Sequence, residues 1–294
     1  MLLPRFDFEA PGTLEAACEL LAQANGEARL MAGGTDLLVK MKRGLAAPRL
    51  IISLSRIAPL HQLGPLNNGM KLGAGMTMSQ LAGDAAVASG WQALAEGAGA
   101  VGGPVIRNRA TVGGNVVNAR PCADTLPALM ALGAKATLRS QRGERVVELD
   151  GFVKGPGQCE LAADEILTSI ELPALPPHAG SAYLKITRRS AMEVTMVGCA
   201  ASVVLDEHKA TMTRVRLVFT SVAPVPLRIP TAERMLEGQA PSQGALQAAA
   251  EEARRVAPAI TDHRAPQDYR KEVVAVTARR ALAAAIARAG GRVA

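Results

Sequence analysis

The sequence predicts an α+β fold in two parts, and three observations carry that reading. The first is a succession of short strand–turn–helix–strand units in the amino-terminal half. The second is the proline cluster Pro173, Pro176 and Pro177 with Gly180, the sharpest break in the chain. The third is a run of three strands followed only by helices, the pattern of a sheet covered by helices. A length of 294 residues suits about two domains. We place them at 1–175, divided near 57 and 58, and at 176–294, the second with a three-stranded antiparallel sheet and helices.

In the first unit, Thr13 is a candidate N-cap for a helix over Leu14 to Ala24, where Leu14, Ala17, Cys18 and Leu21 recur at helical spacing. Arg29 to Ala32 reads as a strand stopped by Gly33-Gly34, Thr35 to Lys42 as a short helix, and Arg49 to Leu54 as a buried strand. The second unit opens with a strand over Met70 to Ala74. Thr77 then caps Met78 to Ala82, and an alanine-rich helix covers Asp84 to Glu96. After the glycines of 97–103 the segment from Pro104 to Arg109 reads as extended. A helix follows over Asp124 to Leu132, then a hairpin of Lys135 to Arg139 with Arg145 to Leu149 and a strand over Glu165 to Leu172. Beyond the prolines come strands over Ala182 to Thr187, Val197 to Leu205 and Thr211 to Thr220. The last helices span Thr231 to Glu237, Ala245 to Val256 and Gln267 to Ala289.

Composition narrows the function. Hydrophobic residues make up 49% and charged residues 20%, as in a globular protein with a large core. No apolar run approaches the ~20 residues of a membrane span, and the amino terminus lacks the apolar stretch of a secretory signal. The expectation is a cytoplasmic protein without a membrane span. The net charge of +7 raises nucleic acid as a partner, but the basic residues are scattered and only 2% of the chain is aromatic. Single-strand binding relies on aromatic platforms, so nucleic acid is not expected. Cys18, Cys122, Cys159 and Cys199 lack the close spacing of a cluster or zinc site, and His61, His178, His208 and His263 show no metal spacing. We expect free thiols, histidines on the surface or in loops, and no metal. Met76, Met78 and the methionines 192–196 read as core fillers.

Gly97 to Gly102 matches G-x-G-x-x-G, but that fingerprint needs a strand before it and a helix opening on it. Here a helix precedes the glycines, which argues against a Rossmann site. The two Gly-Gly pairs are better candidates. Gly33-Gly34 joins a strand to a helix, so backbone N–H groups could converge on an anion near the positive end of that helix. Gly113-Gly114 forms a second such turn, with Thr111 and Asn115 as short polar neighbours. Either pair alone could be a structural bend. Two in successive units suggest a cofactor whose pyrophosphate lies between them.

Leu30-Met31-Ala32-Gly33-Gly34-Thr35-Asp36-Leu37, with Lys40-Met41-Lys42 after it, resembles the first FAD-binding motif of the flavoprotein subunits of xanthine dehydrogenase, carbon monoxide dehydrogenase and other molybdenum hydroxylases. Ile106-Arg107-Asn108 and Ala110 to Asn115 resemble the second. Segments at 123–129, 164–170 and 183–189 resemble later signatures in the same order, so the likeness spans nearly the whole chain. It implies a two-part FAD-binding domain of the flavin-oxidase (PCMH-like) type, followed by a smaller α/β domain.

By this resemblance, Leu30, Met31, Ala32, Gly33, Gly34, Thr35, Asp36 and Leu37 would wrap the pyrophosphate and ribose of FAD. Thr111, Gly113, Gly114 and Asn115 would supply further contacts, and Val101 would lie near the flavin ring. Leu167 and Lys185 match further FAD contacts, although Leu167 could be core and Lys185 a solvent-facing charge. Asp124 would bond the nucleotide part or simply cap the helix that follows it. No catalytic residue is assigned. Arg120-Pro121-Cys122 departs from the small residues common in the family, and nothing has the length or cysteine density of an inserted cluster loop.

The resemblance further implies an oxidoreductase subunit that passes electrons. The molybdenum cofactor would sit on a large partner subunit and 2Fe-2S clusters on a small one, in a dimer of heterotrimers. Electrons would leave through FAD to an external acceptor. The rival reading is a self-contained flavin oxidase of the same broad fold, which would need its own substrate chamber.

Overall fold

The computed structural model describes residues 3–67, 69–190 and 192–294. The first unit is a three-stranded parallel sheet, with β1 (Asp7–Glu9), β2 (Ala28–Met31) and β3 (Leu50–Ser53) in the order β1-β3-β2. Between β1 and β2 runs α1 (Leu14–Gln23), capped by Thr13, whose hydroxyl accepts the Ala16 N–H at 3.2 Å. Ala17, Cys18 and Leu21 on its inner face pack with Ile52, Leu54, Ile57 and Leu60. Helix α2 (Leu37–Lys42) links β2 to β3, and it begins two residues later than the sequence suggests, because Thr35 and Asp36 form the turn.

The second unit is a five-stranded antiparallel sheet in the order β4-β5-β10-β6-β7. Its strands are β4 (Leu63–Leu66), β5 (Gly69–Gly73), β6 (Lys135–Ser140), β7 (Gly143–Glu148) and β10 (Ile166–Leu172), with the small hairpin β8 (Val153–Gly155) and β9 (Gln158–Cys159) beside it. Six helices lie between β5 and β6: α3 (Met78–Gly83), α4 (Ala85–Gly90), α5 (Gln92–Gly99), α6 (Pro104–Arg107), α7 (Val112–Val117) and α8 (Thr125–Leu132). Thr77 and Gln80 form a reciprocal capping box on α3.

The single helix expected over Asp84 to Glu96 is two. Gly90 weakens the helix, and Trp91 leaves helical geometry (φ −115°, ψ 58°) with its ring turned into the core. The segment at Pro104 is a helical turn rather than extended, since a proline fits the first position of a helix. Gly97 to Gly102 still has no strand before it, so the Rossmann reading fails on its first requirement.

The third unit is a four-stranded antiparallel sheet, β11 (Ala179–Ile186), β12 (Val197–Leu205), β13 (Met212–Thr220) and the two-residue edge β14 (Leu227–Arg228), one strand more than expected. It is followed by α9 (Pro230–Leu236), α10 (Gln243–Val256) and α11 (Gln267–Arg288). Both faces of this sheet are covered. Along β12, Val197, Cys199, Ala201, Val203 and Leu205 pack with the carboxy-terminal helices. Ala200 points the other way, into the core of the second unit, together with Tyr183 and Val218. The two halves of the chain therefore share apolar core.

The four cysteines are free thiols, two of them buried and two half-buried. His61, expected on the surface or in a loop, ends the helical turn Ala58–His61 and is half-buried, with Nδ1 3.0 Å from the Gly75 carbonyl. Met192 is 65% exposed rather than a core filler, whereas Met76, Met78 and Met196 are buried. Among the described residues no helix is long and apolar enough to cross a membrane.

Candidate functional site: a cleft at the Gly33-Gly34 loop

A cleft of about 1020 Å³ lies between the first sheet and the α6–α7 segment. Its volume suits an elongated cofactor better than a small metabolite, since small-molecule sites run to about 1,000 Å³. All of Leu30 to Leu37 lines it, with Val101, Thr111, Gly114 and Asn115. Twelve of the sixteen residues expected from the sequence therefore meet here.

The loop after β2 is shaped by its two glycines, each for a different reason. Gly34 has φ +73°, a left-handed conformation that few side chains tolerate. Gly33 lies against the neighbouring backbone, where a Cβ would be 1.9 Å from the Arg109 carbonyl oxygen. The glycines thus let the loop turn and dock, and the cradle is a product of both. Among the described residues, the N–H groups of Gly33, Gly34, Thr35, Asp36 and Leu37 donate to no protein acceptor, while the next, Leu38, bonds the Gly34 carbonyl at 3.1 Å. A run of uncommitted N–H groups on a turn is a concavity for an anion.

The second Gly-Gly is built differently from the open turn that the sequence suggests. It is the first turn of α7, and its N–H groups are already used. Val112 donates to the Met76 carbonyl at 3.0 Å, Gly113 to Ala74 at 2.9 Å and Asn115 to Thr111 at 2.9 Å. Gly114 donates to the Thr111 hydroxyl, which caps the helix, at 3.1 Å. Gly113 is buried and faces away from the cleft, where a Cβ would be 2.7 Å from that of Ala74. What this segment offers the cleft is surface: the exposed Gly114, and the Asn115 amide, whose carbonyl oxygen accepts the Thr125 hydroxyl at 2.6 Å.

Asp124, Leu167 and Lys185 do not line the cleft. Leu167 is buried on β10. Asp124 does not cap α8 through its side chain; its Oδ1 accepts the hydroxyls of Tyr183 at 2.7 Å and Thr195 at 2.5 Å, and its Oδ2 lies 2.9 Å from the Lys185 ammonium. Burial pushes the Asp124 carboxyl up from its ordinary range, while Lys185 and the two hydroxyls pull the other way. Lys185 also donates to the Ala100 carbonyl at 2.9 Å, one residue before Val101 of the cleft wall.

Other lining residues escaped the site assignment. Lys40 crosses the cleft to Asn118 (2.9 Å), and Arg29 and Arg49 add positive charge, the latter paired with Glu27 at 3.1 Å. Ile106 and Val117 extend the apolar wall around Val101. Lys40 follows the first motif by one helical turn, and Asn118 follows Asn115 at the i+3 spacing of one helix face. Those spacings are the signals that could have found them. Arg120, which is not among the lining residues, approaches Asp36 of the Gly33-Gly34 loop, with Nη2 3.8 Å from Oδ1. Among the described residues no three metal-ligating side chains gather at one point.

The family model for the FAD-binding domain in molybdopterin dehydrogenases matches residues 4–175, more than half of the chain. The chain belongs to the FAD-binding subunits of the molybdenum hydroxylases. A second model, the carboxy-terminal domain of carbon monoxide dehydrogenase flavoproteins, matches residues 182–285. The chain is 33% identical to a xanthine dehydrogenase FAD-binding subunit from Escherichia coli O157:H7, over 98% of this chain and 99% of that one. It is also 33% identical to the carbon monoxide dehydrogenase medium chain of Hydrogenophaga pseudoflava, with the same coverage. Among solved structures, carbon monoxide dehydrogenase from H. pseudoflava superposes with a TM-score of 0.93 at 33% identity, covering 98% of this chain and 99% of that one. Quinoline 2-oxidoreductase from Pseudomonas putida 86 gives 0.91 at 25% identity, again over 98% and 99%. The family is thus one of oxidoreductase subunits that carry FAD, in a fold of mixed sheets and helices ending in a small antiparallel domain.

Proposed function

We propose that the 1020 Å³ cleft is the FAD site and that the chain relays electrons within a larger molybdenum hydroxylase. The observation that carries this reading is the run of uncommitted N–H groups from Gly33 to Leu37, set on the same wall as Lys40 and Arg29. That donor set fits a pyrophosphate: the backbone supplies direct bonds, and the cations balance the charge. Leu30, Met31 and Ala32 lead into the cradle, and Thr35 and Asp36 close it. Thr111, Gly114 and Asn115 form the opposite wall, with Gly113 supporting them from behind. Val101, Ile106 and Val117 offer the apolar end that an uncharged ring system needs.

Bound FAD supplies a ring that exchanges electrons singly or in pairs. The chain's own task is to bind, orient and tune that ring. Electrons would arrive from 2Fe-2S clusters on a small partner subunit, after substrate oxidation at a molybdenum cofactor on a large one, and leave to an external acceptor. A dimer of heterotrimers in the cytoplasm, and domains at 1–175 and 176–294, complete the reading. The names of the relatives, carbon monoxide dehydrogenase medium chain and xanthine dehydrogenase FAD-binding subunit, support a medium-subunit role.

The test compares the chain alone with the chain in its complex. Loaded with FAD, it should release the cofactor intact on denaturation, and no purine, aldehyde or aromatic substrate should bleach the flavin under anaerobic conditions. Bleaching should appear once the molybdenum and iron–sulfur subunits are added. Catalytic bleaching of the lone chain by an organic substrate would make it a self-contained oxidase.

A further inference from the structure

We infer that Tyr183 and Thr195 are positioning residues for the ring end of the cleft, acting through Asp124 on Lys185; the inference rests on FAD occupying that cleft. Four separate segments meet around the Asp124–Lys185 pair. Asp124 itself precedes α8, Tyr183 and Lys185 lie two apart on one face of β11, Thr195 lies just before β12, and Ala100 ends α5. Asp124 and Tyr183 are at most 6% exposed, and Thr195 is 2% exposed. Such a cluster is costly unless every member is satisfied.

The roles within it follow from the inventory of donors. Oδ1 is filled by two hydroxyls, which hold the carboxylate at a fixed angle. Burial beside Asp124 pushes the Tyr183 phenol well above its ordinary value, so it remains a donor. Only Oδ2 is left for Lys185. An ammonium has three protons. One goes to Asp124 and one to the Ala100 carbonyl, and the third has no protein acceptor among the described residues. A positive charge with one uncommitted proton is thereby held against the carbonyl of Ala100, the residue next to Val101 of the cleft wall. That is a suitable neighbour for an acceptor atom of a ring that gains negative charge when reduced.

The backbone is adapted to this arrangement. Gly198, on the adjacent strand, leaves room for the phenol, because a Cβ there would be 2.5 Å from the Tyr183 oxygen. The pair Lys185 and Gly198 is in register across β11 and β12. If either hydroxyl is removed, Oδ1 is left short of a donor, and the Lys185 ammonium, already bonded to Oδ2, is available to turn toward it. The cation would then be drawn back toward Asp124 and away from the cleft wall.

The test uses the full chain loaded with FAD, in the variants Tyr183→Phe, Thr195→Val and Lys185→Met and in the double variants. Thr213→Val, whose hydroxyl bonds the Val204 carbonyl at the far end of β13, serves as control. The flavin midpoint potential and the FAD dissociation constant are measured together with the melting temperature of the apoprotein. Lys185→Met should make the potential more negative and weaken FAD about tenfold, the scale of one hydrogen bond to a charged group. Tyr183→Phe and Thr195→Val should shift the potential in the same direction by less, and should add nothing in the Lys185→Met background. Variants that melt earlier but keep the potential and affinity would reduce the cluster to a structural role and overturn the inference. If the unaltered chain took up no FAD, the reading of the cleft itself would fall instead.

Discussion

Gly33 offers the most direct test of the cleft, because its constraint is protein against protein. The substitution Gly33→Ala places a Cβ 1.9 Å from the Arg109 carbonyl oxygen and 2.7 Å from its carbon. An ordinary carbon–oxygen contact is about 3.3 Å, so the loop and the Arg109 backbone must separate by about 1.4 Å. Both contacting atoms are backbone, so no side chain can swing aside. Forced overpacking of this kind costs about 1–3 kcal/mol. The displacement also falls on the N–H run itself, so the loss should appear in binding as well as in stability. We expect FAD affinity to fall at least tenfold, which corresponds to about 1.4 kcal/mol, and the urea midpoint of the apoprotein to fall with it. Gly12→Ala, where a Cβ meets nothing within 4 Å, should leave both unchanged. A Gly33→Ala chain with unaltered FAD affinity, read by quenching of flavin fluorescence, would refute the docked-loop account.

Further outcomes follow from the same coordinates. Gly113→Val should unfold the chain before it affects the cofactor, since its Cβ meets Ala74 and not the cleft; a melt of the apoprotein would detect this, and a variant that melts normally would disprove it. Gly244→Ala, inside α10 with nothing within 4 Å, should stabilise the chain by about 0.5–1 kcal/mol in denaturant titration through backbone entropy alone. Burial opposes the Asp262 charge, yet the Arg264 N–H and the Arg270 guanidinium hold its pKa at about 2. The folded value is depressed, so this stability is present above about pH 4 and is lost as pH falls toward 2. Asp262→Asn should therefore cost on the order of 2 kcal/mol at pH 7, a deficit that fades in acid; an equal deficit at pH 7 and near pH 2 would exclude the ion pair as its source.

Much of the architecture was legible because each signal was local. Val197 to Leu205 alternates between two buried faces and was read with its observed limits. Thr13 and Thr77 cap their helices as their positions suggest. The Gly33-Gly34 loop was legible for a similar reason, since strand, turn and helix follow one another within a dozen residues. The rest depended on contacts that no local pattern encodes. Gly113 looks like Gly34 in sequence, but its surroundings include Ala74, 39 positions earlier, and that neighbour decides its role. Asp124 has the spacing of a helix cap, but its hydrogen bonds come from residues 59 to 71 positions away. β1 is a strand whose residues are all exposed, so no buried face marks it; it exists because β3 offers it a parallel edge.

The Asp124 cluster bears on how the chain can be cut. Tyr183, Lys185 and Thr195 all come after the proline break near residue 175, and the core of the amino-terminal half also takes in Ala200 and Val218. A fragment ending at the break would keep every residue that lines the cleft. It would also leave a buried carboxylate without three of its donors and an apolar wall open to water. The boundary most visible in the sequence is therefore a poor place to truncate. The amino-terminal fragment should need the rest of the polypeptide, added in trans, before it can take up flavin.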